Sequence, residues 1–382
     1  SGDTFIFTTD QSHIGNYNKV AVTYENLHKD LKQGDTILLD DGLIALEVLD
    51  IKGNEINCLI ENSGFLGEHK GLNLPNINVN LPALSTKDIE DIKFGCEMDV
   101  DFIAASFVRK AADVQAVKDE LEKNGKENIR IISKIENDEG IKNFDEILAL
   151  SDGIMVARGD LGVEIPIEDV PFAQKNMIEK CNKVGKTVIT ATQMLESMIK
   201  NPRPTRAEAG DIVNAILDGT DAVMLSGETA KGKYPKLALQ TMARICRKTD
   251  NIDYDHKTCQ NLSLSEAIAS GTVKTADDIC AKAIVILSES GDTARNIKRL
   301  KPNSIVLAIT TNKKTANQLG LARGVFSTVI PKVKDVEDFQ NQAIEIAASY
   351  DFIEDKDVVV LTSGANNEIG ITNLMKVAII SK

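Results

Sequence analysis

Two stretches decide the fold: Ile129-Arg130-Ile131-Ile132-Ser133-Lys134-Ile135-Glu136-Asn137 and Gly153-Ile154-Met155-Val156-Ala157-Arg158-Gly159-Asp160. Each is a short apolar run, of the length and β-branched character of a buried strand, that ends abruptly in charged and polar residues. Working outward, the same form recurs at Phe102–Phe107, Thr187–Ala191 and Asp221–Leu225. Amphipathic patterns at Thr86–Phe94, Ala112–Lys123, Ile167–Val184, Arg206–Leu217 and Leu237–Lys248 alternate with these strands. Thr205 with Glu208 three residues on has the spacing of a capping box for the fourth helix. Five βα units in series predict a parallel sheet, because parallel strands need crossover helices. The span 85–250 is shorter than the roughly 250 residues of a closed eight-stranded barrel. Either the sheet is open or three βα units are missing.

On the N-terminal side the pattern is short and β-like. Thr4–Thr8, Lys19–Thr23, Thr36–Asp40, Leu43–Leu49 and Glu55–Ile60 are strand candidates, punctuated by Gly34-Asp35, Asp41-Gly42 and Gly53-Asn54. They predict a small antiparallel barrel or sandwich, bounded by Leu74-Pro75 and Leu81-Pro82. On the C-terminal side, helices Leu264–Ala281, Thr293–Leu300, Thr315–Leu321 and Val336–Tyr350 separate strands Ala283–Leu287, Ser304–Thr310, Gly324–Ile330, Val358–Thr362 and Lys376–Ile380. That is a doubly wound α/β domain, reached through a polar linker, Thr249–Leu262. The chain is expected to divide into 1–74, 75–250 and 251–382.

Composition narrows the function classes. The chain has 382 residues, 42% hydrophobic and 26% charged, which is ordinary globular composition for two or three domains. A net charge of −13 disfavours nonspecific binding to nucleic acid or an anionic membrane. A phosphorylated substrate stays compatible with it, since a bound cation can invert the local field. No run approaches the length of a membrane-spanning helix, and Ser1 to Asp10 has no signal-peptide pattern. The six cysteines are scattered without a C-x-x-C pair, as expected of reduced thiols in a cytoplasmic protein, and the four histidines show no ligand spacing.

Chemistry in βα folds sits just past the carboxyl ends of strands. Those positions hold Lys134, Glu136 and Asn137; Arg158, Gly159 and Asp160; Thr192; and Ser226, Gly227 and Glu228. Two carboxylates from neighbouring strands suit Mg²⁺ or Mn²⁺, and a lysine beside them could neutralise a transferring phosphoryl group or an enolate. Gly159 and Gly162 would let backbone N–H groups approach an anion. A bland alternative is a rim of salt bridges and helix caps. Gly227 to Tyr234 nearly fits a phosphate loop, but Tyr234 replaces the Mg²⁺-binding hydroxyl and Pro235 follows.

Five long segments, in order, resemble pyruvate kinase: Ile132–Asn137, Met155–Gly162, Thr190–Leu195, Asn201–Glu208 and Asp221–Ala230. The likeness covers essentially the whole chain and is weakest in the last domain. It implies an α/β fold with a partial TIM-type barrel, a small all-β lid and a C-terminal doubly wound domain for regulation and oligomerisation. It also implies phosphoryl transfer from phosphoenolpyruvate to ADP, giving pyruvate and ATP. By motif, Lys134 matches the lysine that stabilises phosphoryl group and enolate, and Glu136 and Asp160 match the divalent-metal ligands. Ala157, Arg158 and Gly159 match the loop around the substrate, with Arg158 among the catalytic positions. Thr192 matches the threonine near the substrate carboxylate and enolate protonation, Ser226 a serine in the proton path, and Ser106 a supporting strand-end serine. Asp41 and Lys70 match lid residues facing the nucleotide; a turn residue and a solvated lysine are their bland alternatives. A homotetramer is implied by the resemblance alone.

Two departures from the family shape the expectations. The chain starts inside the lid, without counterparts of the first three barrel strands, a substrate arginine or the K⁺-site residues. A truncated product or incomplete record of a longer pyruvate kinase is expected, and the activity of the chain as given is left open. In the last domain, Ser288, Ser290, Gly291 and Thr293 match the loop that grips a phosphate of fructose 1,6-bisphosphate in allosteric members. Glu289 and Asp292 put negative charge there, and Gly364–Gly370 lacks the family's usual tryptophan and arginine. Weak or no response to that effector is expected; Lys298, Arg299 and Lys301 could serve another sugar phosphate or simply form a solvated helix face. Two rival functions are a metal-dependent pyruvate aldolase or lyase, which needs no ADP, and a non-catalytic fragment.

Overall fold

The computed structural model describes residues 1–40, 42–68, 70–75, 77, 79, 81–250, 262–332, 334–363 and 372–382. The Asp41 position, nearly all of the linker and the segment 364–370 lie outside them. The N-terminal unit contains β1 (Thr4–Thr8), β2 (Lys19–Ala21), α1 (Leu27–Asp30), β3 (Thr36–Leu39), β4 (Ile44–Lys52), β5 (Glu55–Ile60) and β6 (Leu72–Asn73). They form one sheet in the order β2-β1-β5-β4-β3-β6. Alternation along β4 buries Ile44, Leu46 and Val48 against Phe7, Ile37, Ile56 and Cys58. One expectation is corrected here: β2 runs parallel to β1, with Phe7 opposite Val20, so the sheet is mixed rather than antiparallel. The connection 9–18 is long enough to carry the chain back to the end of β1 where it began, which a tight hairpin cannot do.

The central unit contains α2 (Thr86–Glu97), β7 (Phe102–Ala105), α3 (Ala111–Lys123), β8 (Arg130–Ile135), α4 (Asp138–Lys142), α5 (Phe144–Leu150), β9 (Gly153–Ala157) and α6 (Arg158–Glu164). It continues with α7 (Val170–Lys183), β10 (Thr187–Ala191), α8 (Arg206–Asp218), β11 (Ala222–Val223), α9 (Gly227–Ala230) and α10 (Pro235–Thr249). Its five strands are parallel and lie in sequence order from β7 to β11. Sequential order is the barrel arrangement; a doubly wound sheet reverses direction part-way. Every residue of β9 and β10 is buried, which explains why their sequences are predominantly apolar, with Thr187 and Thr190 the polar members of β10. The Thr205–Glu208 capping box is present: Thr205 Oγ1 accepts from Glu208 N at 3.2 Å and Glu208 Oε2 accepts from Thr205 N at 2.7 Å.

The C-terminal unit contains α11 (Leu264–Asp278), β12 (Ala283–Leu287), α12 (Asp292–Lys298), β13 (Ile305–Thr310), α13 (Lys313–Leu319), β14 (Val325–Val329), α14 (Val336–Ser349), β15 (Val358–Ser363) and β16 (Leu374–Ile379). The strand order is β14-β13-β12-β15-β16, with only the β15–β16 pair antiparallel. Alternate residues of β12 face opposite layers. Ile284 and Ile286 pack with Ala269 and Val273 of α11, and Val285 packs with Phe339 and Ala343 of α14. That is the doubly wound arrangement. Among the described residues, no helix is long and apolar enough to cross a membrane.

Candidate active site

The carboxyl ends of β7, β8 and β9 bring the first group of residues together. Lys134, on β8, places Nζ 2.8 Å from Glu136 Oε1 and 2.9 Å from Ser106 Oγ, just past β7. Glu136 is 1% exposed, and its Oε2 accepts from Phe107 N at 2.5 Å. Asp160 sits in the first turn of α6, which begins directly where β9 ends. Burial pushes its carboxyl above the usual carboxylate range; the charge of Glu136 and a hydrogen bond between the two carboxyls add to this, and Lys134 opposes it. Lys134, Glu136, Asp160 and Ser106 therefore form one constellation, drawn from three neighbouring strands.

The next group lies at the ends of β9 and β10. Thr192 Oγ1 accepts from Gly159 N at 2.6 Å and donates to Ala191 O at 2.6 Å. Thr192 and Gln193 are both left-handed, at φ 67° and 55°, a conformation costly for residues with a Cβ. Arg158 braces this turn: Nη2 donates to Thr192 O at 2.7 Å and Nε to Ala191 O at 3.3 Å, while Nη1 meets both oxygens of Asp211 at 2.8 and 2.7 Å. The Arg158 guanidinium thus braces the turn through protein partners on both of its sides. Ala157 closes β9 and is buried.

Past β11, Ser226 carries a buried Oγ with no hydrogen-bond partner among the described residues. Its backbone N donates to Glu228 Oε2 at 2.7 Å, and Glu228 Oε1 accepts from Leu195 N at 2.9 Å. The near phosphate loop 227–234 folds as the single turn α9 followed by α10, not as an open cradle.

A cleft of about 2120 Å³ separates the N-terminal sheet from the central unit; Lys70, Asn73, Ser106, Phe107, Asp138 and Asp160 line it. Lys70 Nζ lies 2.7 Å from Asp40. Asn73 Nδ2 donates to Glu164 Oε1 across the cleft at 3.0 Å. Sequence reasoning missed Asn73, Glu164 and Asp211, whose partners are far off in the chain and leave no local pattern.

In the C-terminal unit, Gly291 is left-handed at φ 81° and precedes α12. Ser290 Oγ donates to Asp292 Oδ2 at 2.7 Å, Thr293 Oγ1 lies 2.8 Å from Thr372 Oγ1, and Ser288 Oγ is buried without a partner among the described residues. Burial would raise the Asp292 carboxyl, but hydrogen bonds from Ser290 and Arg295 outweigh it and hold the group below its ordinary value. Lys298 and Arg299 form neither a solvated face nor part of this loop's charge. Lys298 pairs with Asp221 of the central unit, and Arg299 Nη2 lies 2.6 Å from Glu266.

The comparisons agree on one family. Residues 1–239 match the barrel domain of pyruvate kinase and residues 266–378 its alpha/beta domain. Pyruvate kinase of Clostridium acetobutylicum is 45% identical over 99% of this chain and 82% of its own length. That of Bacillus licheniformis is 47% identical over 100% of this chain and 66% of its own length. A crystal structure of a pyruvate kinase from Cryptosporidium parvum superposes with a TM-score of 0.91 at 42% identity, covering 99% of this chain and 79% of that one. With both domain families matched in order, and a relative this similar along nearly the whole sequence, the chain belongs to the pyruvate kinase family of phosphotransferases.

Proposed function

We propose that the chain transfers the phosphoryl group of phosphoenolpyruvate to ADP, giving pyruvate and ATP. The observation that carries this reading is the Lys134–Glu136–Asp160 constellation: a cation 2.8 Å from a carboxylate that is itself in contact with a second one. A buried Glu136 carboxyl against a half-buried Asp160 carboxyl that is pushed up forms a site that a divalent cation suits. Mg²⁺ is characteristically held by one or two carboxylates, with water and substrate phosphates completing its shell. Glu136 and Asp160 would hold Mg²⁺ or Mn²⁺, and the ion would supply charge neutralisation for the phosphate.

The chain's own groups do the rest. Lys134 faces the negative charge that builds as the bridging P–O bond of phosphoenolpyruvate breaks and a β-phosphate oxygen of ADP bonds to phosphorus. Ser106 keeps the ammonium in place. The segment Ala157–Asp160, with Thr192, forms the wall for the substrate carboxylate. The enolate left behind takes a proton at C3 and becomes pyruvate; Thr192 and Ser226 serve that step. Lys70, with Asp41, faces the nucleotide from residues 1–74, which act as a lid that excludes water. Residues 75–250 carry the site, and residues 251–382 serve regulation and assembly into a homotetramer. K⁺ dependence and a cytoplasmic setting complete the reading. The Ser288–Thr293 loop, with Glu289 and Asp292 at hand, gives little response to fructose 1,6-bisphosphate. Nothing in the geometry favours an aldolase or lyase.

The test is pyruvate formation by the purified chain with phosphoenolpyruvate, ADP and Mg²⁺, with and without K⁺, together with phosphoenolpyruvate binding to the Mn²⁺-loaded chain. ADP-dependent turnover that EDTA abolishes supports the reading. ADP-independent turnover, absent binding, or binding without turnover overturns it.

A further inference from the structure

We propose that Glu228 is a positioning residue for the proton-transfer half of the reaction, acting through the backbone on Thr192 and Ser226; this rests on the phosphotransfer reading. Glu228 is 0% exposed, yet both of its oxygens are used. Oε1 accepts from Leu195 N at 2.9 Å, in the turn that follows β10, and Oε2 accepts from Ser226 N at 2.7 Å, in the turn that follows β11. One side chain therefore ties together the two loops that carry the hydroxyls assigned to enolate protonation.

Both loops need the tie. Thr192 and Gln193 are consecutive left-handed residues with side chains, and Arg158 and Glu228 grip that turn from its two ends. Ser226 caps the single turn α9, and Glu228 holds its N–H. Its hydroxyl is buried and has no hydrogen-bond partner among the described residues. Two backbone N–H groups converge on Glu228, and only a carboxylate offers an acceptor on both atoms; an amide of the same shape turns one NH₂ against a donor. The reaction step served is the bonding of a proton to C3 of the enolate while the C2 ketone re-forms. Glu228 touches neither atom.

Solvent-deuterium entry into the methyl group of pyruvate, followed by proton NMR in the presence of Mg²⁺, K⁺ and ATP, reads that step alone. Glu228→Gln is expected to slow deuterium entry by about ten- to hundredfold, the range for losing a charge-assisted hydrogen bond and leaving a buried donor unpaired. KM for phosphoenolpyruvate and its affinity for the Mn²⁺-loaded chain change several-fold less than exchange does, because Thr192 shares the substrate-carboxylate wall with Ala157–Asp160. The double variant E228Q/S226A is no slower than the slower single variant within about twofold, because both act on one unit. Glu228→Asp, which keeps the charge but shortens the reach, shows the same selective loss. Exchange unchanged in E228Q, effects that multiply in the double variant, a loss shared equally by binding and exchange, or failure of both Glu228 variants to fold would overturn the proposal. Absence of exchange in the unmodified chain would instead show that the phosphotransfer reading fails.

Discussion

Asp221 and Lys298 form an ion pair between the central and C-terminal units, with side chains 2% and 3% exposed. Asp221 also accepts from two backbone groups: Val188 N to Oδ2 at 2.9 Å and Arg323 N to Oδ1 at 3.1 Å. The two partners are therefore not equivalent. Lys298→Met leaves the carboxylate with both N–H donors, and its loss is that of one hydrogen bond to a charged group, about 1.5–3 kcal/mol. Asp221→Ala strands a buried ammonium and unpairs two amides; breaking a buried pair in this way costs about 3–5 kcal/mol. In D221N/K298M the amide oxygen still accepts one N–H and no charge is buried alone. Its destabilisation should fall short of the sum of the single variants D221N and K298M by about 1–3 kcal/mol. The chain has no tryptophan, so urea unfolding is followed by far-UV circular dichroism. Additivity within about 0.5 kcal/mol, or Lys298→Met costing more than Asp221→Ala, would refute the reasoning.

Thr205→Ala should cost about 1 kcal/mol as a lost helix cap, whereas Glu208→Gln should cost more, because Glu208 also accepts from Ser197 N and Oγ at 2.7 and 2.6 Å; urea midpoints rank the two. Glu266 has its carboxyl lowered from 4.5 to about 2 by backbone and side-chain hydrogen bonds at Ser263, with Arg299 adding to them. A lowered folded value means that the unfolded chain binds more protons, so this stabilisation is complete above about pH 4.5 and drains away as pH falls toward 2. The stability gap between the unmodified chain and Glu266→Gln should narrow over that window in acid titration; a constant gap contradicts the assignment.

The parts of the fold legible in the sequence are those where burial dictates composition. β9 and β10 are covered on both faces, so apart from Thr187 and Thr190 their residues are apolar, and their ends turn polar; Asp160 and Thr192 could be found that way. Helix α6 was legible only as a helix start at Gly159 and Gly162, where Asp160 does lie in the first turn; two glycines in seven residues leave its extent without an amphipathic pattern. The short helices α4 and α5 were missed for a similar reason, with Asn143 breaking the pattern between them. Lys298 read as a solvated or ligand-facing lysine because its partner, Asp221, belongs to another unit of the fold. The Arg158–Asp211 brace and the Glu228 tie are long-range contacts of the same kind, visible only once the strands are side by side.

The central claim is that Lys134, set against Glu136 and Asp160, promotes phosphoryl transfer to ADP. The most direct measurement follows phosphoenolpyruvate, ADP and ATP together by ³¹P NMR with Mg²⁺ and K⁺, for the unmodified chain and for Lys134→Met. The account predicts ATP appearing as phosphoenolpyruvate disappears, and at least about a hundredfold slower conversion in Lys134→Met, as for removal of a group that stabilises transition-state charge, with Mn²⁺ still bound. ATP formation at an undiminished rate in Lys134→Met, or consumption of phosphoenolpyruvate without ATP, would contradict it.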